Sequence, residues 1–140
     1  MSTPPRNRPP GETSGSDQRP ARDLSTAAME FDIATELMTL QQEPSWQNGD
    51  RNARTLVEKS GFRVVLTALK MGARLKAHQT AGWVSLYAVT GHLRVLVDGR
   101  VVELPPNHAL VLARNEPHEV EAVEDSSFLL TVAGLGQSET

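Results

Sequence analysis

Short segments with alternating apolar and polar residues run from about residue 54 to residue 133, and they constrain the fold more than any other feature of the chain. The clearest turn is Asp98-Gly99, which separates two such segments, and Asp-Gly tolerates the positive φ values of a type I′ hairpin. Nine short strands without long helical connections predict a mainly β, antiparallel sandwich or barrel. The predicted strands are Thr55–Glu58, Arg63–Lys70, Arg74–Gln79, Val84–Val89, His92–Asp98, Arg100–Leu104, Ala109–Ala113, His118–Val123 and Phe128–Ala133.

Two segments precede this β region. Five of the nine prolines lie in the first twenty residues, together with Gly, Ser and Thr. Such a composition cannot bury enough apolar surface to offset the entropy of ordering, so residues 1–24 are predicted to be a disordered tail. Residues 25–53 are predicted to form a helix and a connecting loop, and residues 54–135 the β-barrel domain.

The predicted helix covers Thr26 to Gln42. Its apolar residues Met29, Ile33, Leu37 and Leu40 recur at spacings of three and four, which is typical of one buried helical stripe. Pro44 is expected to end the helix, and residues 45–52 to form a loop. The stripe favours a helix that covers the β-domain.

Composition excludes several classes of function. The chain has no cysteine, which excludes disulfides, thiolate metal sites and thiol catalysis. No apolar run reaches the roughly 20 residues of a membrane helix, and the N-terminus lacks a signal-peptide core, so we expect a cytoplasmic protein without a membrane partner. The net charge is −3, without a basic block, which argues against nucleic acid as the main partner.

All four histidines lie in the β region: His78, His92, His108 and His118. His78 follows Gly72 by six residues at the end of a predicted strand. His118 begins another strand just after the turn at Glu116-Pro117. His92 and His108 stand beside turns and are predicted to be surface residues.

These spacings resemble the two sequence motifs of the cupin superfamily. In the first motif, Gly72, His78 and the closing Gly91 match, whereas Thr80 replaces the second histidine and Val84, or Ser85 with the longer spacer, replaces the glutamate. In the second motif, only the histidine matches, as His118. The other positions of that motif hold Asn107, Ala113, Asn115 and Ala122. The resemblance implies a cupin-type antiparallel β-barrel, preceded here by one helix, with the ligand positions inside near one mouth.

The departures from the motifs bear on metal binding. A catalytic Fe, Mn, Ni, Cu or Zn site usually takes at least three protein ligands. His78 and His118 supply two imidazoles, Thr80 supplies a weak hydroxyl, and Val84 supplies no donor. Strand alternation should turn Val120 to the side of His118, and the neighbouring glutamates away from it. The resemblance therefore implies an incomplete site for a divalent transition metal at His78 and His118, with ligand hydrogen bonding as an equal alternative role.

Two functions follow from this pattern, beside a structural role in which the barrel serves only for dimerisation. The first is a small-molecule-binding protein, in which His78, Thr80, Tyr87 and His118 contact the ligand. Its candidate apolar walls are Leu66, Leu86, Val95, Leu112, Val120 and Leu130. The alternative is a metal-dependent cupin oxygenase or isomerase acting on a small metabolite, with the metal at His78 and His118. Trp83 and Tyr87 lie four residues apart on one strand and should share a face, which favours core or dimer packing. The resemblance also implies a homodimer.

Overall fold

The structure is a computed structural model, and it describes residues 27–134. Two short helices precede nine strands, whereas the sequence predicted one helix and a loop before nine strands. The helices are α1 (Ile33–Gln41) and α2 (Pro44–Asn48). The strands are β1 (Arg51–Lys59), β2 (Phe62–Leu69), β3 (Arg74–His78), β4 (Trp83–Thr90), β5 (Leu93–Val97), β6 (Arg100–Leu104), β7 (Ala109–Leu112), β8 (His118–Ala122) and β9 (Ser126–Ala133).

The helical region differs from the prediction in its boundaries. Helix α1 begins at Ile33, because Asp32 has extended backbone angles and its Oδ1 accepts a hydrogen bond from the Thr35 amide at 3.2 Å. Pro44 does not simply end the helical region; it is the first residue of α2, a position that suits its fixed φ and missing amide. Strand β1 also starts at Arg51, earlier than expected. The predicted tail, residues 1–24, lies outside the described residues.

The strands form two antiparallel sheets. The five-stranded sheet has the order β1-β2-β9-β4-β7, and the four-stranded sheet has the order β3-β8-β5-β6. Within residues 27–134, no strand of one sheet pairs with a strand of the other. The mainly β, antiparallel prediction is therefore confirmed, but the two sheets are not closed into the predicted barrel.

Two apolar clusters hold the layers together. The larger one lies between the sheets, where Phe128, Leu86, Val95 and Val120 are almost completely buried. The smaller one lies on the outer face of the five-stranded sheet and joins Leu40 of α1 to that sheet. Each fully buried Leu or Phe contributes roughly 1.5–3 kcal/mol through removal of its surface from water. The chain is thus a three-layer structure of helix, sheet and sheet.

Gly91, the closing glycine of the first motif, is required by its backbone conformation and by its close neighbours. Gly91 has φ +80°, in the left-handed region that favours glycine. A Cβ atom there would collide with the backbone oxygen of Asp125 and with the side chain of Ser126. Any other residue would therefore push the end of β4 away from the start of β9.

Candidate functional site

His118 lies at the start of β8, and its side chain is turned into the protein. The residue is 3% exposed. Along β8, His118, Val120 and Ala122 are buried, while Glu119 and Glu121 are only partly buried. This is the alternation expected for a strand with one face on the core. The predicted inward orientation of His118 is confirmed.

A backbone carbonyl fixes the orientation of the His118 ring. Nδ1 lies 3.1 Å from the carbonyl oxygen of Glu116. A carbonyl oxygen only accepts hydrogen bonds, so Nδ1 must donate its proton to it. In the neutral ring the lone pair is then on Nε2, and this tautomer suits a histidine that accepts a hydrogen bond or binds a metal through Nε2.

A bulge in β3 brings the backbone of His78 opposite His118. Leu75 pairs with Val120, but the next recorded pair is His78 with His118, so β3 contains one extra residue between them. Without the bulge, Ala77 would pair with His118. The two histidines of the cupin motifs are therefore neighbours across the β3–β8 ladder.

Thr80 lies in the β3–β4 loop, next to the β7–β8 loop that leads to His118. Its backbone oxygen accepts a hydrogen bond from the Asn115 amide at 2.8 Å, which joins the β3–β4 loop to the β7–β8 loop. Its hydroxyl oxygen accepts a hydrogen bond from the Gly82 amide at 3.0 Å. The Thr80 hydroxyl thus stabilises the loop, and one of its lone pairs is already used.

Tyr87 does not join these residues. Val84, Leu86 and Ala88 of β4 are buried between the sheets, whereas Tyr87 is 38% exposed on the opposite face. Its hydroxyl donates a hydrogen bond to Oδ1 of Asn107 at 2.6 Å. The structure therefore brings together His118, the backbone of His78 and the loop of Thr80, but places Tyr87 on the outside of the five-stranded sheet.

The interior beside His118 is filled with aliphatic side chains. Val84, at the glutamate position of the motif, is 2% exposed and belongs to the core between the sheets. Leu86, Val95, Leu112 and Val120 pack in the same core, and Leu130 packs against it. Leu66, the remaining predicted wall residue, instead faces α1 in the smaller cluster.

This donor set does not fit a catalytic metal centre of three or more protein ligands. Thr80 is engaged in a turn, Val84 has no donor atom, and Glu119 and Glu121 extend from the other face of β8. Among the described side chains, no group of three His, Asp or Glu residues is arranged to hold a metal ion. Two imidazoles are the most that the cupin motif positions can offer.

A partly open cavity of about 400 Å³ lies at this end of the four-stranded sheet. It is bounded by the end of β3, the β5–β6 hairpin and the start of β8. Its lining includes the buried residue His118, together with Leu96, Val101 and Glu119, which lie in one row on the outer face of the sheet. The lining residues are Ala77, Leu96, Val97, Asp98, Gly99, Arg100, Val101, Pro117, His118 and Glu119.

Of these lining residues, only His118 was predicted from the sequence to contact a ligand. The available signals were the Asp98-Gly99 hairpin and Pro117, which mark two turns at one end of the same sheet. Their proximity depends on the pairing of β5 with β8, in which Val97 lies opposite His118. His92 and His108 are not among the lining residues: His108 is exposed, and His92 Nε2 contacts Glu103.

Comparison with known proteins gives the fold. A scan against protein-family models matches no family, and a search of curated proteins finds no match. Solved structures do match. A Streptococcus pyogenes protein of unknown function superposes with a TM-score of 0.61 at 20% identity, over 82% of this chain and 92% of its own. An RmlC-like cupin from Desulfovibrio desulfuricans gives a TM-score of 0.56 at 24% identity, over 76% and 90%.

A further similar structure is an enzyme by its name. DMSP lyase DddQ from Ruegeria pomeroyi gives a TM-score of 0.58 at 14% identity, over 66% of this chain and 51% of its own. At such identities the likeness concerns the fold and not the chemistry. The two antiparallel sheets, the histidine positions and these similarities agree, and the chain therefore has the fold of the cupin superfamily.

Proposed function

We propose that this protein binds a small molecule at the end of the four-stranded sheet, with His118 as the main polar contact. The observation that carries the proposal is the position of His118: a buried residue, with its ring oriented by the Glu116 carbonyl, that is among the residues bordering a cavity of about 400 Å³. Cavities of this size accept small metabolites, and a few placed polar groups among apolar walls are typical of binding sites.

His78 is the second proposed contact. The β3 bulge sets its backbone directly opposite His118. This backbone pairing supports the proposal that both histidines contact one ligand. Thr80 is a proposed neighbour of the ligand through its loop, while Tyr87 lies on another face and is not part of this site.

The alternative is a metal-dependent cupin oxygenase or isomerase acting on a small metabolite, with the divalent metal at His78 and His118. The register of the two histidines supports this alternative, and the missing third ligand opposes it. Because the donors do not fit a complete centre, no reaction step through a metal follows from this structure. Binding without catalysis is the function that the geometry supports best.

A thermal-shift screen against a broad set of metabolites tests the proposal. We expect at least one compound to raise the melting temperature of the wild type but not of His118→Ala. His108→Ala is the matched control, because His108 is exposed and lies outside the cavity lining. If His118→Ala folds poorly, Ala77→Leu narrows the cavity from an exposed position. The proposal would be overturned if no compound stabilised the wild type. It would also be overturned if the stabilising compounds raised the melting temperatures of His118→Ala and His108→Ala equally.

The resemblance to cupins also leads us to propose a homodimer. Among residues 27–134, no helix is long and apolar enough to cross a membrane. Sedimentation equilibrium of the untagged chain tests the dimer directly: we expect twice the chain mass, and a single-chain mass at all concentrations would contradict it.

A further inference from the structure

Two loops cross between the sheets at the end of the protein where His118 lies. The β3–β4 and β7–β8 loops each run from one sheet to the other, since β3 and β8 belong to the four-stranded sheet, and β4 and β7 to the five-stranded sheet. The first loop leaves β3 after His78, opposite His118, and the second leads directly into His118. Both loops therefore cross the gap between the sheets next to the residue that we propose as the main ligand contact.

His118 is buried although it stands at the end of a strand. It is the first residue of β8, so no further residue of that strand lies beyond it, and Pro117 just before it is exposed. His118 is nevertheless only 3% exposed. The paired strands cover it within the sheet, and the end of the gap has to be covered by the loops that cross it. The burial of His118 therefore depends on how closely these two loops are held together.

Arg114, in the β7–β8 loop, joins three segments at this end. A single guanidinium nitrogen, Nη1, donates hydrogen bonds to the carbonyl oxygen of Ala81 at 2.9 Å and to that of Gly134 at 2.8 Å. Ala81 lies in the β3–β4 loop, and Gly134 directly follows β9. Hydrogen bonds from a charged donor are roughly twice as strong as those between neutral groups. One side chain therefore fastens the two loops to each other and to the end of the five-stranded sheet.

Backbone contacts hold the residues on either side of Ala81. The Asn115 amide donates to the Thr80 carbonyl oxygen at 2.8 Å. A Cβ atom on Gly82 would lie 2.6 Å from the carbonyl oxygen of Ala133, so the loop also approaches the end of β9 closely. Substitution at Arg114 removes its two side-chain hydrogen bonds and leaves these backbone contacts in place. The contribution of Arg114 to the closure of the loops can therefore be tested separately.

We infer that Arg114 is a positioning residue for the proposed site: it holds the two loops closed over His118 and so keeps water away from the imidazole. A hydrogen bond is electrostatically stronger where water is excluded, so closed loops strengthen the contact that His118 offers to a ligand. The inference deepens the proposed function and rests on it, because shielding serves binding only when His118 contacts the ligand.

Deuterium exchange at the imidazole C2 position of His118, followed by mass spectrometry, tests the inference without any ligand. At high pD, where the rate no longer depends on the pKa of the ring, the exchange reports how readily water reaches it. We expect the rate constant of His118 to rise at least about threefold in Arg114→Gln, because the loops open more often. The exposed His108 should keep its wild-type rate in every variant.

Two further variants sharpen the comparison. Arg114→Lys keeps a charged donor on a shorter side chain, so its His118 rate should lie between those of the wild type and Arg114→Gln. Arg94→Gln is the matched control, because it removes the same charge from the outer surface of the four-stranded sheet, where Arg94 pairs with Glu103. It should leave the His118 rate unchanged.

The outcomes separate positioning from a purely structural role. A lower melting temperature of Arg114→Gln with an unchanged His118 rate would overturn the inference, as would equal rises in Arg114→Gln and Arg94→Gln. If Arg114→Gln does not fold, a wild-type rate in Arg114→Lys overturns it. The metabolite screen is independent of these results: its failure removes the proposed function, whereas the shielding of His118 by Arg114 is decided by exchange alone.

Discussion

The outer surfaces of the two sheets use the same kinds of charged residue in opposite surroundings. On the five-stranded sheet, Arg54 of β1 and Glu36 of α1 form an ion pair at 3.2 Å, with side chains only 3% and 4% exposed. On the four-stranded sheet, Arg94 and Glu103 form a pair at 3.0 Å, with side chains 40% and 47% exposed. The distances are alike, but the access of water differs about tenfold.

This difference in exposure indicates which of the two ion pairs contributes to the structure. Water and salt compete with an exposed pair, so it contributes little to stability. A buried pair must be complete, because either partner alone would be an uncompensated charge under the helix. Asn52 adds to this buried polar contact: its side-chain amide donates to the Leu40 carbonyl at 2.8 Å and to Glu43 at 2.9 Å. The helix is therefore positioned on the sheet by polar groups as well as by its apolar stripe.

The largest effect is expected from breaking the buried pair. Arg54→Leu leaves Glu36 buried without the guanidinium, and we expect the free energy of unfolding to fall by about 3–5 kcal/mol. Urea unfolding at pH 7, followed by far-UV circular dichroism, measures it. The double variant Arg54→Leu with Glu36→Leu removes both charges and should recover most of the loss. A single variant within about 1 kcal/mol of the wild type would show that the buried pair has no such role.

An intermediate effect is expected at the start of the covering helix. Asp32→Ala removes the acceptor for the Thr35 amide at the N-terminus of α1, and we expect a loss of about 1 kcal/mol in urea unfolding. Asp32→Ser is the control, since serine can accept the same hydrogen bond. Equal losses in both variants would mean that the cap does not set the start of the helix.

The smallest effect is expected on the exposed surface. Hydrogen bonds from His92 and then Arg94 lower the pKa of Glu103 below its ordinary value of 4.5. The charged form is thus favoured in the folded protein, so its stabilising effect is full above about pH 4.5 and is lost as the pH falls through the lowered pKa. Glu103→Gln should therefore reduce the melting temperature slightly at pH 7 and in low salt.

Thermal melts from pH 7 to pH 2 measure this effect. The small difference between Glu103→Gln and the wild type should shrink as the pH falls, and it should also shrink in high salt. A difference that grows toward low pH would contradict the assignment, as would a loss comparable with that of Arg54→Leu.

The β-structure could be predicted from the sequence because alternation and turn residues are local signals. All nine predicted strands are present, most with ends shifted by a few residues, and Asp98-Gly99 forms the expected hairpin. The start of α1 was harder to predict from the sequence, because Met29 continues the apolar stripe but lies before the helix and packs on the sheet from there. Alternation also cannot indicate that Arg54 is buried, because its partner Glu36 lies on another element.

The candidate site could be predicted only in part. The motif spacing located His118 and its inward orientation. The bulge that sets His78 opposite His118 inserts one residue into β3, and a regular two-residue period does not predict where such an insertion falls. The position of Tyr87 follows from the phase of β4, which the burial of Val84 and Leu86 makes clear in the structure.

Titration of zinc into the untagged wild type by calorimetry at pH 7 tests most directly whether the histidine positions of this cupin fold lack a complete metal centre. Four-ligand zinc sites provide about 10–16 kcal/mol, so two imidazoles should bind with a dissociation constant no tighter than about 1 μM. We predict such weak binding or none. One equivalent bound at nanomolar affinity, and lost in His118→Ala but not in His108→Ala, would contradict the account.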